Sequence, residues 1–253
     1  MSDARSQTPP SASGREAAAD AFPATRWTVV AAAGRATTAE AGRALEELCR
    51  DYWFPIYAYI RRRGHPPADA EDLTQGFFER LIRLGSLAGV DRERGPFRAF
   101  LLASAKHYLA DEWDRATAAK RDVTRTVPID AGDAEARYAR EPVDRLTPDR
   151  VYERQWARTL LERVLERLRA EHERAGRGEL FLALRFAITA GEAAVPLAEV
   201  AARLGLSEEA VRVAAHRLRR RYRDRLREAV ADTAADPSEV DAELAHLLRV
   251  FGD

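Results

Sequence analysis

The stretch from Val195 to Val230, VPLAEVAARLGLSEEAVRVAAHRLRRRYRDRLREAV, leaves little freedom in how it folds. Pro196 suits the first turn of a helix, where its missing N–H costs little. Leu197, Val200, Ala201 and Leu204 then recur at i, i+3, i+4 and i+7, one apolar stripe at helical spacing. Gly205 is the residue type that closes a helix in the left-handed conformation, with Leu206 positioned to cover the end. Ser207 is an N-cap, and Glu208 and Glu209 occupy the first turn of a second helix, where the dipole favours acids. Val211, Ala214, Ala215, Leu218, Tyr222 and Leu226 form its apolar stripe. Arg212, His216, Arg219 and Arg223 fall on another face. A short helix, a tight glycine turn and a basic second helix make a helix-turn-helix, whose second helix fits a DNA major groove. Helical hairpins with solvated arginine faces share part of this pattern; here the turn residues, the small residues at the crossing and the arginine density agree.

The rest of the chain has the same character. No run alternates Val, Ile and Thr, and Ala, Leu, Arg and Glu dominate, so the fold class is all-α. The 253 residues suffice for two small helical domains. Forty-one basic residues balance 41 acidic ones, so any nucleic-acid surface must be local. Cys49 is the single cysteine, which excludes an internal disulfide and a cysteine-based zinc site; its apolar neighbours make it a small buried residue. No signal-peptide pattern and no 18-residue apolar run occurs, so a cytoplasmic protein with no membrane partner is expected.

Residues 1–24, rich in Ser, Ala and Pro, read as a disordered tail. Thr37 to Glu40 is a capping-box pattern opening a long helix through Leu45, Leu48, Tyr52, Ile56 and Ile60, with Pro55 inside it predicting a kink or a break near Phe54. After His65-Pro66-Pro67, acids open a second helix. Its apolar face holds Leu73, Phe77, Leu81 and Leu84, and its polar face Asp72, Gln75 and Glu79. A glycine-rich loop, 85–96, leads to a third helix from Phe97, where Lys106, His107, Arg115, Lys120 and Arg121 are interleaved with Tyr108 and Trp113. Cations among aromatics suit single-stranded nucleic acid, which stacks and pairs its phosphates; Tyr108 fits the core better. Residues 122–147, with several prolines and no period, form a linker carrying a short helix near 134–140. Thr147-Pro148 caps a long helix, 150–173, which is followed by an apolar helix at 179–189. Asp236 to Glu239 caps a last helix, 233–253, with Val240, Leu244, Leu247, Leu248 and Phe251 on one side.

Three motifs in this order carry a resemblance. Asp69-Ala70-Glu71-Asp72-Leu73-Thr74-Gln75 with Phe78, then Phe97 to Leu101 through Asp111 to Arg115, then Leu197 to Arg220, together resemble a bacterial RNA polymerase sigma factor of the extracytoplasmic-function (ECF) group. Arg61 to His65 and Arg217 to Tyr222 resemble a subgroup abundant in planctomycete bacteria. The resemblance implies a sigma region 2-like domain at 25–121, the linker at 122–147 and a region 4-like helix-turn-helix domain at 148–232. It implies transcription initiation as the function. The partners would be core polymerase (β′ clamp helices and β flap), promoter DNA as duplex and melted strand, and a regulator of the anti-sigma type. Asp69, Asp72, Gln75 and Glu79 would contact the core enzyme. Arg92, Arg94, Arg98, Lys106, His107, Trp113 and Arg115 would serve the −10 element. Ser207, Glu208, Arg212, His216, Arg217, Arg219 and Arg220 would serve the −35 element, with Glu208 or Glu209 either accepting from cytosine or only satisfying the helix dipole. The sequence departs from the family pattern at Gly76 (where Glu is usual), His107 (Asn) and Ala214 (a basic residue). The competing reading is a free-standing, dimeric helix-turn-helix regulator. Catalysis finds no support in the residues: His65, His107, His172, His216 and His246 lack metal-ligand spacing, and no phosphate loop or nucleophile elbow occurs, so no cofactor is expected.

Overall fold

The computed structural model describes residues 39–84, 95–118, 134–139, 146–189, 197–232, 234 and 236–251. The expected N-terminal tail, the cap at Thr37, Arg92 and Arg94, Lys120 and Arg121, and Pro196 lie outside them. Among the described residues every regular element is a helix and no strand occurs, so the fold is all-α.

The helices are α1 (Ala39–Arg62), α2 (Pro67–Arg83), α3 (Phe97–Ala118), α4 (Ala134–Ala139), α5 (Pro148–Arg174), α6 (Gly178–Leu184), α7 (Phe186–Thr189), α8 (Leu197–Leu204), α9 (Glu208–Ala231) and α10 (Val240–Arg249), with a 3₁₀ turn at Pro237–Glu239 before the last. Their ends follow from local chemistry. Thr147 accepts a hydrogen bond from the Arg150 amide, with Pro148 in the first turn. Gly64 ends α1 at φ +97°, a conformation glycine adopts without a Cβ penalty. Asp236 accepts from the Ser238 amide and hydroxyl. Pro55 neither breaks nor ends α1. Phe54, Ile56, Tyr57 and Ile60 are all buried around it, and this packing offsets the missing backbone bond. The apolar segment 179–189 is not one helix: α6 stops at Leu184 and α7 begins at Phe186.

Two apolar cores form, and α5 joins them. Its 27 residues span about 40 Å. Val151, Tyr152, Trp156 and Leu160 enter the first core with Tyr52, Phe97 and Leu101, where the Tyr52 ring meets Phe97 edge-on at 5.5 Å. Leu168, one end further along, enters the second core with Phe181, Leu184, Val200, Val211, Ala215 and Leu218. Helix α1 makes its most extensive packing along α5, and the Asp51 carboxylate pairs with Arg163. The first core therefore draws on both sides of residues 122–147. It also takes Val230 from the end of α9 and Val240 and Leu247 from α10. The apolar stripe expected on α10 is divided: Val240 and Leu247 are buried, whereas Leu248 is 71 % exposed.

Candidate nucleic-acid and partner interface

Helix α2 is anchored by one face and free on the other. Ala70, Thr74, Phe77, Phe78 and Leu81 are buried, and the Thr74 hydroxyl satisfies itself on the Ala70 carbonyl at 2.6 Å. Asp69, Asp72 and Glu79 are exposed, and Gln75 donates to the Glu79 carboxylate at 3.0 Å. The four residues expected to meet a protein partner thus share one solvated face. Gly76 on this helix lies under the Tyr108 ring: a Cβ there would collide with the phenol oxygen. Tyr108 is buried, which pushes its hydroxyl up to about 12.

Helix α3 divides its expected strand-binding residues. Trp113 is 71 % exposed and forms one wall of a cleft of about 670 Å³ between the start of α2 and the end of α3. Asp69, Asp72, Arg63, His65 and Glu112 line the same cleft. The structure therefore brings Trp113, expected with DNA, beside residues expected with protein. His107 is exposed. Arg115 is exposed and pairs with Glu112 one turn back, and Lys106 reaches Asp149 of α5 at 2.6 Å.

Arg98 is the exception. Its motif position implies the nucleic-acid surface, but only 6 % of it is exposed. Its guanidinium bonds Glu153 of α5 at 3.0 Å and Glu243 of α10 through two nitrogens, one at 3.2 Å, and lies 4.5 Å from the Trp156 ring centre. Tyr152 donates to the Arg98 carbonyl at 2.9 Å. Burial pulls the guanidinium pKa down, but Glu243 and Glu153 more than offset it, so the charge is held more firmly than usual. In this conformation Arg98 ties three helices together and has no free face for a strand. Its partners lie 55 and 145 residues away, beyond any local signal in the sequence.

A second long-range group has no local sequence signal either. Glu135 of α4 accepts from Arg61 at 2.7 and 2.9 Å and from the Tyr57 hydroxyl at 2.6 Å. The Arg61 hydrogen bonds hold the Glu135 carboxyl below the usual range, while burial and Glu135 raise the Tyr57 hydroxyl. Arg62 donates to the Leu146 carbonyl at 2.7 Å. Both arginines that distinguish the end of α1 are thus used to fasten segments after residue 133.

The α8–α9 pair forms as its sequence implies. Gly205 has φ +64°, the Leu206 amide bonds back to the Ala201 carbonyl at 3.0 Å, and Ser207 caps α9 through the Ala210 amide at 3.2 Å. Val211, Ala215 and Leu218 are buried, which turns Glu208, Arg212, His216, Arg217 and Arg220 to solvent. Arg219 is half-buried, and Arg212 pairs with Glu209.

Among the described residues no group of three or more His, Cys, Asp or Glu is placed to hold a metal, and no helix is long and apolar enough to cross a membrane. No curated protein and no solved structure matches the chain. Residues 48–119, from the middle of α1 to the end of α3, match the family model described as Sigma-70 region 2. The matched segment contains the solvated α2 face, the α2–α3 cleft and Trp113, so over these residues the chain is similar to RNA polymerase sigma factors.

Proposed function

We propose that the chain is an ECF-type sigma factor, of the planctomycete-like subgroup, that carries core RNA polymerase to promoters. The observation that supports this most is the coincidence of the region 2 match with a helix whose acidic face, Asp69, Asp72 and Glu79 with Gln75, is solvated and unclaimed by the chain's own packing. That face docks on the β′ clamp helices of the polymerase. Residues 25–121 act as the region 2-like unit and 148–232 as the region 4-like unit. Lys106, His107, Trp113 and Arg115 meet the melted −10 strand, together with Arg92 and Arg94. Helix α9 enters the major groove at the −35 element, where Arg212, His216 and Arg219 reach base edges and phosphates. Contacts to the β flap and control by an anti-sigma partner follow from the same reading, as does a cytoplasmic location.

Unstacking −10 bases costs a few kcal/mol, and polymerase binding must offset it. The net charge of zero gives the free chain little general attraction to DNA. Free protein should therefore bind promoter duplex weakly and in a salt-sensitive way, and gain selectivity only with core enzyme. Promoter-selective transcription in vitro with core polymerase tests the reading, with Asp72→Ala/Gln75→Ala as the docking variant. Loss of polymerase binding at unchanged thermal stability supports it, and intact binding overturns the clamp assignment. Tight sequence-specific binding by the free protein would favour a free-standing regulator instead.

A further inference from the structure

We propose that the cleft between α9 and the α5–α6 turn is a cradle for one sugar–phosphate strand of duplex DNA, with Arg177 as a phosphate ligand on the wall opposite the recognition helix. The inference rests on the reading that α9 enters a major groove, and it adds a contact from outside the helix-turn-helix.

The cleft has a volume of about 630 Å³. One wall is α9, presenting Ala210, Val213, Ala214, Arg217 and Arg220; the other holds Arg177 and His172. The placement of Arg177 is fixed by backbone. Gly176 turns the chain at φ +67°, and the Arg177 amide bonds the His172 carbonyl at 2.8 Å, so the side chain leaves a rigid turn. Residues 210, 213, 214, 217 and 220 recur at helical spacing and so share one side of α9, distinct from the stripe of Glu208, Arg212 and His216. One helix thus offers an edge for bases and, beside it, a flank for phosphates.

The charges in the cleft do not cancel. Glu171 is held by Arg221 and Arg225 at 2.9 Å each, and Glu209 is held by Arg212. Asp224 is the remaining acid of the lining. Against it stand Arg177, Arg217 and Arg220, all exposed and none ion-paired among the described residues. His172 is not counted with them: its Nδ1 is engaged with the Leu168 carbonyl at 2.7 Å. Ala210 and Ala214 line the α9 wall, and side chains this short leave room for a strand to approach the helix. Position 214 is where the resemblance implies a basic residue. Arg177 lines the same cleft from the facing wall, so the cleft holds a cation without one at position 214.

The test is duplex binding by the full chain across a salt series, using labelled mixed-sequence duplexes and fluorescence anisotropy. Each lost phosphate contact lowers the slope of log K against log salt by about 0.9. Arg177→Ala should lower the slope by about that amount and weaken binding several-fold at low salt, equally for all sequences. Arg177→Lys should retain most of the slope, because a point charge suffices for phosphate. Arg50→Ala, far from the cleft, controls for the change in net charge, and an unchanged melting temperature excludes a folding defect. Wild-type behaviour of Arg177→Ala, in a protein that Arg212→Ala and Arg217→Ala do weaken, overturns the cradle and leaves the DNA reading standing. An altered sequence preference without a change of slope overturns it too, since that would be base contact. If Arg212→Ala and Arg217→Ala are silent as well, the DNA reading falls and takes the cradle with it.

Discussion

Replacing Arg98 by methionine keeps the length of the side chain and removes its charge from the junction of α3, α5 and α10. The cost can be worked from the contacts. Breaking a buried ion pair by deleting one partner typically costs about 3–5 kcal/mol, because the abandoned charge stays desolvated. Here the abandoned carboxylates retain some water access: the Glu243 side chain is 14 % exposed and that of Glu153 23 %, against 7 % for Arg98. Partial rehydration brings that cost to about 2–3 kcal/mol, by the same reasoning. The guanidinium also lies 4.5 Å from the Trp156 ring centre. Such a desolvated cation–π contact is worth up to about 2 kcal/mol, part of which the methionine thioether recovers. A total near 3 kcal/mol corresponds to a fall of roughly 6–12 °C in Tm for a domain of this size. Urea denaturation followed by far-ultraviolet circular dichroism and by tryptophan fluorescence reads it, because Trp156 sits beneath the substituted group. Glu243→Gln should cost less, and the double variant less than the sum, since both remove the same pair. A loss below about 1 kcal/mol for Arg98→Met, or additivity within about 0.5 kcal/mol, would refute the idea that this cluster fastens α10 to the first core.

Three further outcomes follow from single contacts. Gly76→Ala should destabilise by about 1–3 kcal/mol in a thermal melt, because the new Cβ meets the Tyr108 hydroxyl; in a Tyr108→Phe background the sign should reverse, leaving the helix-propensity gain of up to about 1 kcal/mol. Ser207→Ala removes the cap on the Ala210 amide and should cost about 1 kcal/mol, with faster amide exchange confined to the first turn of α9. Glu135 has a folded-state pKa below the ordinary 4.5, so its stabilising contribution is present above that value and lost as pH falls through the folded one. Glu135→Gln should therefore lower Tm at pH 7, and the gap from wild type should narrow as pH falls below 4.5; a gap that stays the same or widens on acidification would contradict the assignment.

Elements whose determinants are adjacent in sequence were readable from it, and those built on distant partners were not. The turn at Gly205–Ser207, the cap at Thr147-Pro148 and the start of α3 at Phe97 depend on residues within one helical turn, and each stands where its sequence implies. The polar face of α2 was equally visible, because period alone separates it from Phe77 and Leu81. Arg98 was not, since nothing near it signals Glu153 or Glu243. The same applies to α5. Its sequence shows an amphipathic helix but not that its first half belongs to one core and its last turns to another. Pro55 is a third case: local rules favour a break, and burial of the residues on both sides overrides them. Trp113 could be called an exposed aromatic or a core one on spacing alone, and only tertiary packing decides it.

The distribution of charge links these observations to how the nucleic-acid surface must work. Asp149 and Glu153 lie four residues apart, so they project from one face of α5. That face meets two of the cations that α3 was expected to offer a melted strand, Lys106 and Arg98. Their positive charge is already satisfied inside the chain, and Glu243 adds a third carboxylate. A phosphate strand reaching Lys106 therefore competes with Asp149 for the ammonium, so the gain is less than the full value of a new contact. For Arg98 the exchange would also break its bonds to Glu153 and Glu243 and leave both carboxylates without their cation. Two arginines of α9 differ. Arg217 and Arg220 are exposed and carry no ion pair among the described residues, so duplex contact there needs no prior rupture. With 41 charges of each sign in the whole chain, it is this pairing, and not net charge, that sets where nucleic acid is met at low cost.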